Sequence, residues 1–291
     1  MSALEKKIDF MLFVTVTNAN GNGDPLNGNR PRTDYNGFGE ISDVCVKRKI
    51  RNRMQDEGKE IFVKMSERAD DGFKSLSDRA SAAELKGTQE EQAKAACEKW
   101  LDVRAFGQVF AFKAKGKKGE VGAGEGVSIG VRGPVSIHQA VSVSPVDVHS
   151  MQITKSVNSE TKENGGKSSD TMGAKHMVRF GLYQIKGSVN VQLAEKTGFS
   201  KEDADVLKKC LMTLFENDAS SARPEGSMEV RKMFWWEHDS KLGKYSTAKV
   251  FRSVTAKLKE GIDLPQKYED YEIRVDESAT PGLVPEICVD E

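Results

Sequence analysis

The sequence predicts an α+β domain, a ferredoxin-like sheet carrying helices on one face. Three observations lead there. Hydrophobic segments of period two recur along the chain, apolar stripes of helical spacing occupy 42–55 and 200–214, and two polar stretches interrupt the pattern at 56–126 and 155–176. With those stretches set aside, the order is strand, helix, several strands, helix, strands, which suits a sheet of the RNA-recognition type.

The first strand is written by Ile8, Phe10, Leu12, Val14 and Val16, which alternate with Asp9, Met11, Phe13 and Thr15. Its second face is also largely apolar, so it is expected to be central. A Gly/Asn-rich loop follows directly. Ser42 or Asp43 then caps a helix to about Gln55, with Val46, Ile50 and Met54 on its buried side. Residues 56–126 turn polar and helix-prone, with 88–105 the clearest helix and 113–126 a Gly/Lys/Glu loop, and read as an insertion. Strand character returns over 127–148. A long polar segment with Gly165, Gly166 and Gly173 comes next, then strand again over 176–193. Loops this long inside a compact domain are commonly functional arms. Ser200 with Asp203 forms a capping pair ahead of Ala204, Leu207, Leu211 and Leu214. Met228–Glu237, 247–254 and Tyr271–Val275 read as three further strands.

Composition excludes several classes of function. Lys and Arg total 44 against 44 Asp and Glu, yet the charge is segregated. Residues 30–53 hold seven basic and three acidic side chains, whereas 259–291 hold three and ten. Anion binding is therefore expected on one face. Cys45, Cys97, Cys210 and Cys288 are too far apart for a CxxC metal site and do not form a secreted disulfide pattern. There is no signal-peptide pattern and no apolar run near the roughly 20 residues a membrane span requires. The expectation is a soluble, cytoplasmic protein without a membrane partner.

The chemistry concentrates in 18–53. Asn18, Asn20, Asn22, Asn27, Asn29 and Asn36 alternate with Gly21, Gly23, Gly28, Gly37 and Gly39, residues that tolerate positive φ and let the backbone approach a ligand closely. Arg30 and Arg32 lie in the loop; Lys47, Arg48, Lys49, Arg51 and Arg53 lie on the helix. At 100° per residue Lys47 and Arg51 stack one turn apart with Arg48 beside them. A run of charge is ordinarily a solvated face. Three features favour phosphate contact: the glycine loop ahead of the helix, the two loop arginines, and the scarcity of acidic residues nearby in sequence.

Other motifs do not close. Asn18, Asn20, Asn22 and Gly23 imitate a calcium loop, but its twelfth position is Asn29 instead of Glu. Gly166-Lys167-Ser168 lacks the P-loop's first glycine, Thr161 standing there. Gly122, Gly124 and Gly126 lack dinucleotide spacing. His138, His149, His176 and His238 show no metal-ligand pairing, and no metal or other cofactor is expected. Of Trp235 and Trp236, one is expected in the core and the other covering the surface, with base stacking as the functional alternative.

The loop NANGNGDPLNGNRPRTD (18–34), the helix SDVCVKRKIRN (42–52), the strand GPVSIHQAV (133–141) and the order of elements resemble the backbone subunit of type I CRISPR Cascade complexes, a member of the RAMP superfamily, most closely its type I-C branch. The resemblance covers nearly the whole chain. It implies a palm of the RNA-recognition type over 1–55, 127–149 and 178–291, helical fingers inserted at 56–126 and a β-hairpin-like thumb at 150–177. It also implies head-to-tail copies along a CRISPR RNA, target DNA pairing in R-loops, a guide-processing subunit and a large subunit. By position it carries RNA binding onto Asn18, Asn20, Asn22, Arg30, Arg32, Lys47, Arg48, Lys49 and Arg51. Met151 and Ile153 are candidates for the thumb's wedge against a kinked base step. Arg179-Phe180-Gly181-Leu182-Tyr183 is only a partial echo of the aromatic motif of RNA-recognition sheets, so contact is expected from loops and helix. The resemblance implies no catalytic residue. The alternative is a metal-dependent ribonuclease like the related type III backbone subunits, with Asp24 or Asp34 holding Mg²⁺.

Overall fold

The computed structural model describes residues 2–112, 127–154 and 172–290. The chain enters through β1 (Ile8–Ala19), the short strands β2 (Gly23–Asp24) and β3 (Arg30–Pro31), β4 (Phe38–Ile41) and helix α1 (Asp43–Asp56). Helices α2 (Leu76–Ala82), α3 (Gln89–Lys99) and α4 (Leu101–Phe106) follow, and then β5 (Gly107–Phe112), which pairs with β6 (Val127–Arg132). Strands β7 (Val135–Ile137), β8 (Ala140–Pro145), β9 (Val148–Thr154) and β10 (Met172–Val189) lead into α5 (Val191–Thr197) and α6 (Lys201–Met212). The last elements are β11 (Met228–Glu237), α7 (Thr247–Arg252), β12 (Val254–Leu258), β13 (Tyr271–Val275) and β14 (Glu286–Asp290). Among the described residues no helix is long and apolar enough to cross a membrane.

A central antiparallel sheet organises these elements in the order β14-β11-β1-β10-β8-β4, with β7 and β9 also pairing β10. Strand β1 is indeed central, and residues 8–16 are all buried. Phe10, Leu12, Val14 and Val16 pack beneath α1 (Val46, Ile50, Met54) and α6 (Leu207, Leu211). Met11 and Phe13 point the other way, onto Val250 and Phe251 of α7, Val254 of β12 and Tyr271 of β13. Each such side chain stabilises the fold by about 1.5–3 kcal/mol on burial. The sheet is thus covered on both faces, a correction to the expected single layer of helices. The C-terminal segment supplies the second cover. For the same reason both tryptophans are buried: Trp235 stacks on Phe10 at 5.6 Å in the first core, and Trp236 is fully enclosed in the second.

Three boundaries differ from the sequence reading. The segment 247–254, read as a strand, is helical up to Arg252, because the Ser246 hydroxyl accepts the Lys249 amide and caps a turn that turns Val250 and Phe251 onto the sheet. The helix read over 88–105 is broken at Trp100, whose extended backbone (φ −118°, ψ 119°) brings its ring into a cluster with Phe62 and Phe110 in a third core. The strand read to residue 193 stops at Val189, where the Asn190 side chain accepts the Leu193 amide and starts α5.

Buried polar groups tie the layers together. Asp9, enclosed within β1, accepts from Thr247 Oγ1 (2.8 Å), from His238 Nε2 (2.8 Å) and from Lys7 Nζ (3.2 Å), pinning α7 and its leading loop to the sheet. Arg104 forks onto Asp203 at 2.7 and 2.8 Å and docks α4 against α6.

Candidate nucleic-acid interface

The Gly/Asn loop leaves β1 at Asn18, an exposed residue in the left-handed region (φ 49°). Two of its asparagines build the loop. Asn20 is buried and its Nδ2 donates to the Asn29 carbonyl at 2.7 Å; Asn22 Oδ1 accepts both the amide and the hydroxyl of Ser42 at 2.9 Å. Ser42 in turn caps α1, its hydroxyl accepting the Cys45 amide. Gly23 lets the Asn29 side chain lie close against it, and a Cβ there would displace that carboxamide. The loop and the helix start are therefore one hydrogen-bonded unit.

Both candidate aspartates serve this unit. Asp24 accepts the Leu26 amide at 3.2 Å and lies 3.4 Å from Arg32 Nη2. Asp34 accepts the Asn36 and Phe38 amides, each at 2.8 Å. Among the described residues no group of three or more His, Cys, Asp or Glu side chains is placed to hold a metal ion.

The basic helix is less free than its sequence suggests. Lys49 is buried in an ion pair with Asp218, and burial pulls its pKa down against the opposing pull of that carboxylate. Arg51 Nε donates to Asp102 Oδ2 at 2.9 Å, with the guanidinium 5.1 Å from the Phe106 ring centre. The Asp102 carboxylate is fully buried and also accepts the Phe62 and Val63 amides. Arg53 meets Asp56 at 2.9 Å and Glu216 at 3.3 Å. The scarcity of neighbouring acids is therefore corrected: Asp102, Asp218 and Glu216 arrive from distant segments. Arg48 donates to the Val63 carbonyl, and burial followed by the charge of Arg51 lowers its pKa. Lys47 pairs with the half-exposed Asp43 at 3.0 Å, one turn back on the same helix.

Arg30 takes a different route. Its Nη1 donates to Ser150 Oγ at 2.9 Å and to His176 Nδ1 at 3.2 Å, and these two partners are themselves 2.8 Å apart. Since a guanidinium only donates, Nδ1 is the acceptor and the imidazole proton belongs on Nε2. Ser150 and His176 face each other across the β9–β10 pair, so Arg30 joins the loop to the root of a two-stranded arm. Sequence reasoning did not single out Ser150, and it set His176 aside; nothing local marks either as a partner of Arg30.

On that arm Met151 and Ile153 are exposed, opposite Lys175 and Gly173. Strand β10 begins at Met172, so the last residues of the polar stretch 155–176 belong to the arm. The remainder of that stretch, with Gly166-Lys167-Ser168, and the glycines at 122–126 lie outside the described residues.

A relative from Haloferax volcanii described as CRISPR-associated protein Cas7 is 27% identical over 221 residues, a match spanning 72% of this chain and 65% of that protein. Among solved structures, a chain of a CRISPR RNA-guided surveillance complex in a pre-nicking state aligns with a TM-score of 0.49 at 17% identity, covering 88% of this chain and 83% of that one. A chain of another CRISPR RNA-guided surveillance complex aligns with a TM-score of 0.45 at 16% identity, covering 79% and 68%. The family model described as CRISPR-associated protein Cas7 matches residues 6–276, nearly the whole of the sheet and its insertions, and the chain belongs to that family.

Proposed function

We propose that this chain is a CRISPR RNA-binding backbone subunit of a type I-C Cascade complex, polymerising head-to-tail along the guide and presenting it for pairing with target DNA. The observation that carries the reading is the family match over residues 6–276. The palm is 1–55 with 127–149 and 178–291, the fingers are 56–126 and the thumb is 150–177, with Met151 and Ile153 as its wedge. A guide-processing subunit, a large subunit and further copies are the partners.

Within the basic region the roles divide. Asn18, Arg30, Arg32 and Lys47 are the side chains offered to the strand, while Asn20, Asn22, Arg48, Lys49 and Arg51 act through the loop and helix they hold. The sheet faces are covered, which supports contact through loops and arm. The acidic segment meets a neighbouring copy mainly through Glu269 and Glu277, Asp276 being engaged as the acceptor of the Ser278 amide and hydroxyl. Asp270 accepts the Gln266 and Lys267 amides, and Glu272 is paired with Arg274 at 2.5 Å.

No catalytic residue is assigned. Asp24 and Asp34 each accept amides of their own turns through Oδ1, which supports a structural role for both in the loop. Sequencing the nucleic acid that copurifies with the protein tests the proposal: a discrete CRISPR RNA is expected, and heterogeneous cellular RNA would overturn it. Cleavage of labelled complementary RNA in Mg²⁺ by the assembled protein would revive the ribonuclease.

A further inference from the structure

Of the two loop arginines, Arg32 lies against a carboxylate, Asp24 at 3.4 Å, whereas Arg30 is held by a hydroxyl and an imidazole. A guanidinium has N–H donors on three nitrogens. In Arg30 only Nη1 is engaged, by Ser150 Oγ at 2.9 Å and His176 Nδ1 at 3.2 Å, and Nε and Nη2 have no partner among the described residues. The spacing of that remaining edge matches two oxygens of one phosphate. We propose that Ser150 and His176 are positioning residues for Arg30: they hold its guanidinium from the arm side, present the Nε–Nη2 edge to a phosphate of the bound strand, and do so only while His176 is neutral. The inference rests on the RNA-binding reading above and deepens it.

Three observations carry this. First, Ser150 and His176 stand directly opposite each other in the β9–β10 register, so their side chains share one face and the backbone ladder sets their spacing. A long side chain held in this way before binding loses less freedom when a phosphate arrives. Second, the three groups close a triangle. The Ser150 hydroxyl accepts from Nη1 and donates its own proton to Nδ1 at 2.8 Å, so the imidazole orients the hydroxyl as well as the guanidinium. Third, among the described residues no carboxylate meets the ring. Asp147 is engaged by Arg179 at 2.6 Å, and Asp24 lies against Arg32. Lys175 and His149 are the neighbours of His176 and Ser150 along their strands and point to the opposite face. The charge in contact with the ring is that of Arg30 itself. A proton on Nδ1 would reverse the bond to Ser150 and set an imidazolium against a guanidinium with no counter-charge between them, which opens the clamp.

The test combines ring spectroscopy with RNA binding, both on the full chain. In isotope-labelled protein without RNA, at about pH 8, the His176 ring is expected to carry its proton on Nε2, and Arg30→Ala should shift the Nδ1 resonance. A proton on Nδ1, or a resonance indifferent to Arg30→Ala, would overturn the clamp whether or not RNA binds. At the same pH, His176→Leu should weaken binding of a guide-length RNA by about tenfold, the equivalent of one charge-assisted hydrogen bond. His176→Asn should stay within about twofold of wild type, because its carboxamide oxygen accepts where Nδ1 does. Lowering the pH to about 5.5 should shrink the cost of Arg30→Ala in the wild-type background and leave it unchanged in His176→Asn. A His176→Leu effect that persists in the Arg30→Ala background, or a pH response shared by the Asn variant, overturns the positioning role alone. A wild-type chain that holds no RNA overturns the RNA-binding reading, and the ring measurement then decides the clamp by itself.

Discussion

On helix α1, Lys49, Arg51 and Arg53 each end against a carboxylate brought from another part of the chain, whereas in the preceding loop Arg30 ends against Ser150 and His176, a hydroxyl and an imidazole acceptor. In sequence the helix is the more cationic of the two, with Lys47, Arg48, Lys49, Arg51 and Arg53 against Arg30 and Arg32 in the loop. In the folded protein the charges of Lys49, Arg51 and Arg53 are compensated and hold layers together, while the Arg30 charge is positioned without being cancelled. A local count of basic residues therefore measures neither the field outside the protein nor the side chains available to an anion. What decides is the charge of the partner each cation is given by the fold.

The largest effect expected from this contrast is on stability. Arg51→Ala leaves the Asp102 carboxylate buried with only two backbone amides, and removing one member of a buried pair costs about 3–5 kcal/mol. Urea unfolding monitored by tryptophan fluorescence reads it directly. A loss below about 1 kcal/mol, the range of surface pairs, would return Arg51 to the solvated face and break the comparison.

Next in size is RNA binding. Arg30→Ala combined with Lys47→Ala removes two proposed phosphate contacts, so the single-strand salt slope should fall in magnitude by about 1.4. Stability should change by less than about 1 kcal/mol, because both side chains lie on or near the surface. An unchanged slope with intact folding would leave the loop without the role given to it here.

A smaller effect sharpens the contrast inside the insertion. Arg79 is buried and forks onto Asp71 at 2.6 and 3.0 Å, and this hydrogen bonding holds the Asp71 carboxyl well below its ordinary 3.8. A depressed carboxyl contributes stability that is fully present above its unfolded value and is lost as pH falls through the folded one. Below about pH 4, hydrogen exchange around Asp71 and α2 should accelerate before exchange in β1 does. Simultaneous loss of protection in both would show that the insertion does not open by itself.

The smallest effect concerns the exposed acids. Glu269→Lys removes a 3.9 Å pairing with Arg231 and reverses one charge of the acidic segment. Rim pairs contribute about 0–1 kcal/mol, so the association of copies along a guide-length RNA should slow more than it weakens. Light scattering against time, at two salt concentrations, separates the two.

Much of the framework was legible in the sequence because its signals are local. Met228–Glu237 and Tyr271–Val275 read correctly as strands, α1 starts at its Ser42 cap, and Ser200 with Asp203 forms the capping box of α6. What failed was tertiary. The turn capped by Ser246 carries Val250 and Phe251, a β-rich composition that hid a short helix, and nothing around Trp100 announces a break that only the third core explains. The second cover of the sheet was invisible because its members were read as more strands of the sheet itself. At the site, the asparagine, glycine and arginine positions were legible from composition, but their division into supports and offered groups was not. Asp102 lies far from Arg51 in the chain, and Ser150 and His176 far from Arg30, so no spacing rule connects them.

The central place of β1 has a consequence for how the chain is made. Residues 8–16 are buried on both faces, and the strands on either side begin only at Met172 and Met228. About 150 residues separate Ala19 from Met172, and at a ribosomal speed of about 5–20 residues per second the gap lasts roughly 8–30 s. Throughout it the strand has neither of its hydrogen-bonded neighbours, and a bare apolar strand is a template for pairing with other chains. Slower translation, or loss of a chaperone that shields that segment until its neighbours emerge, is therefore expected to lower the yield of folded protein.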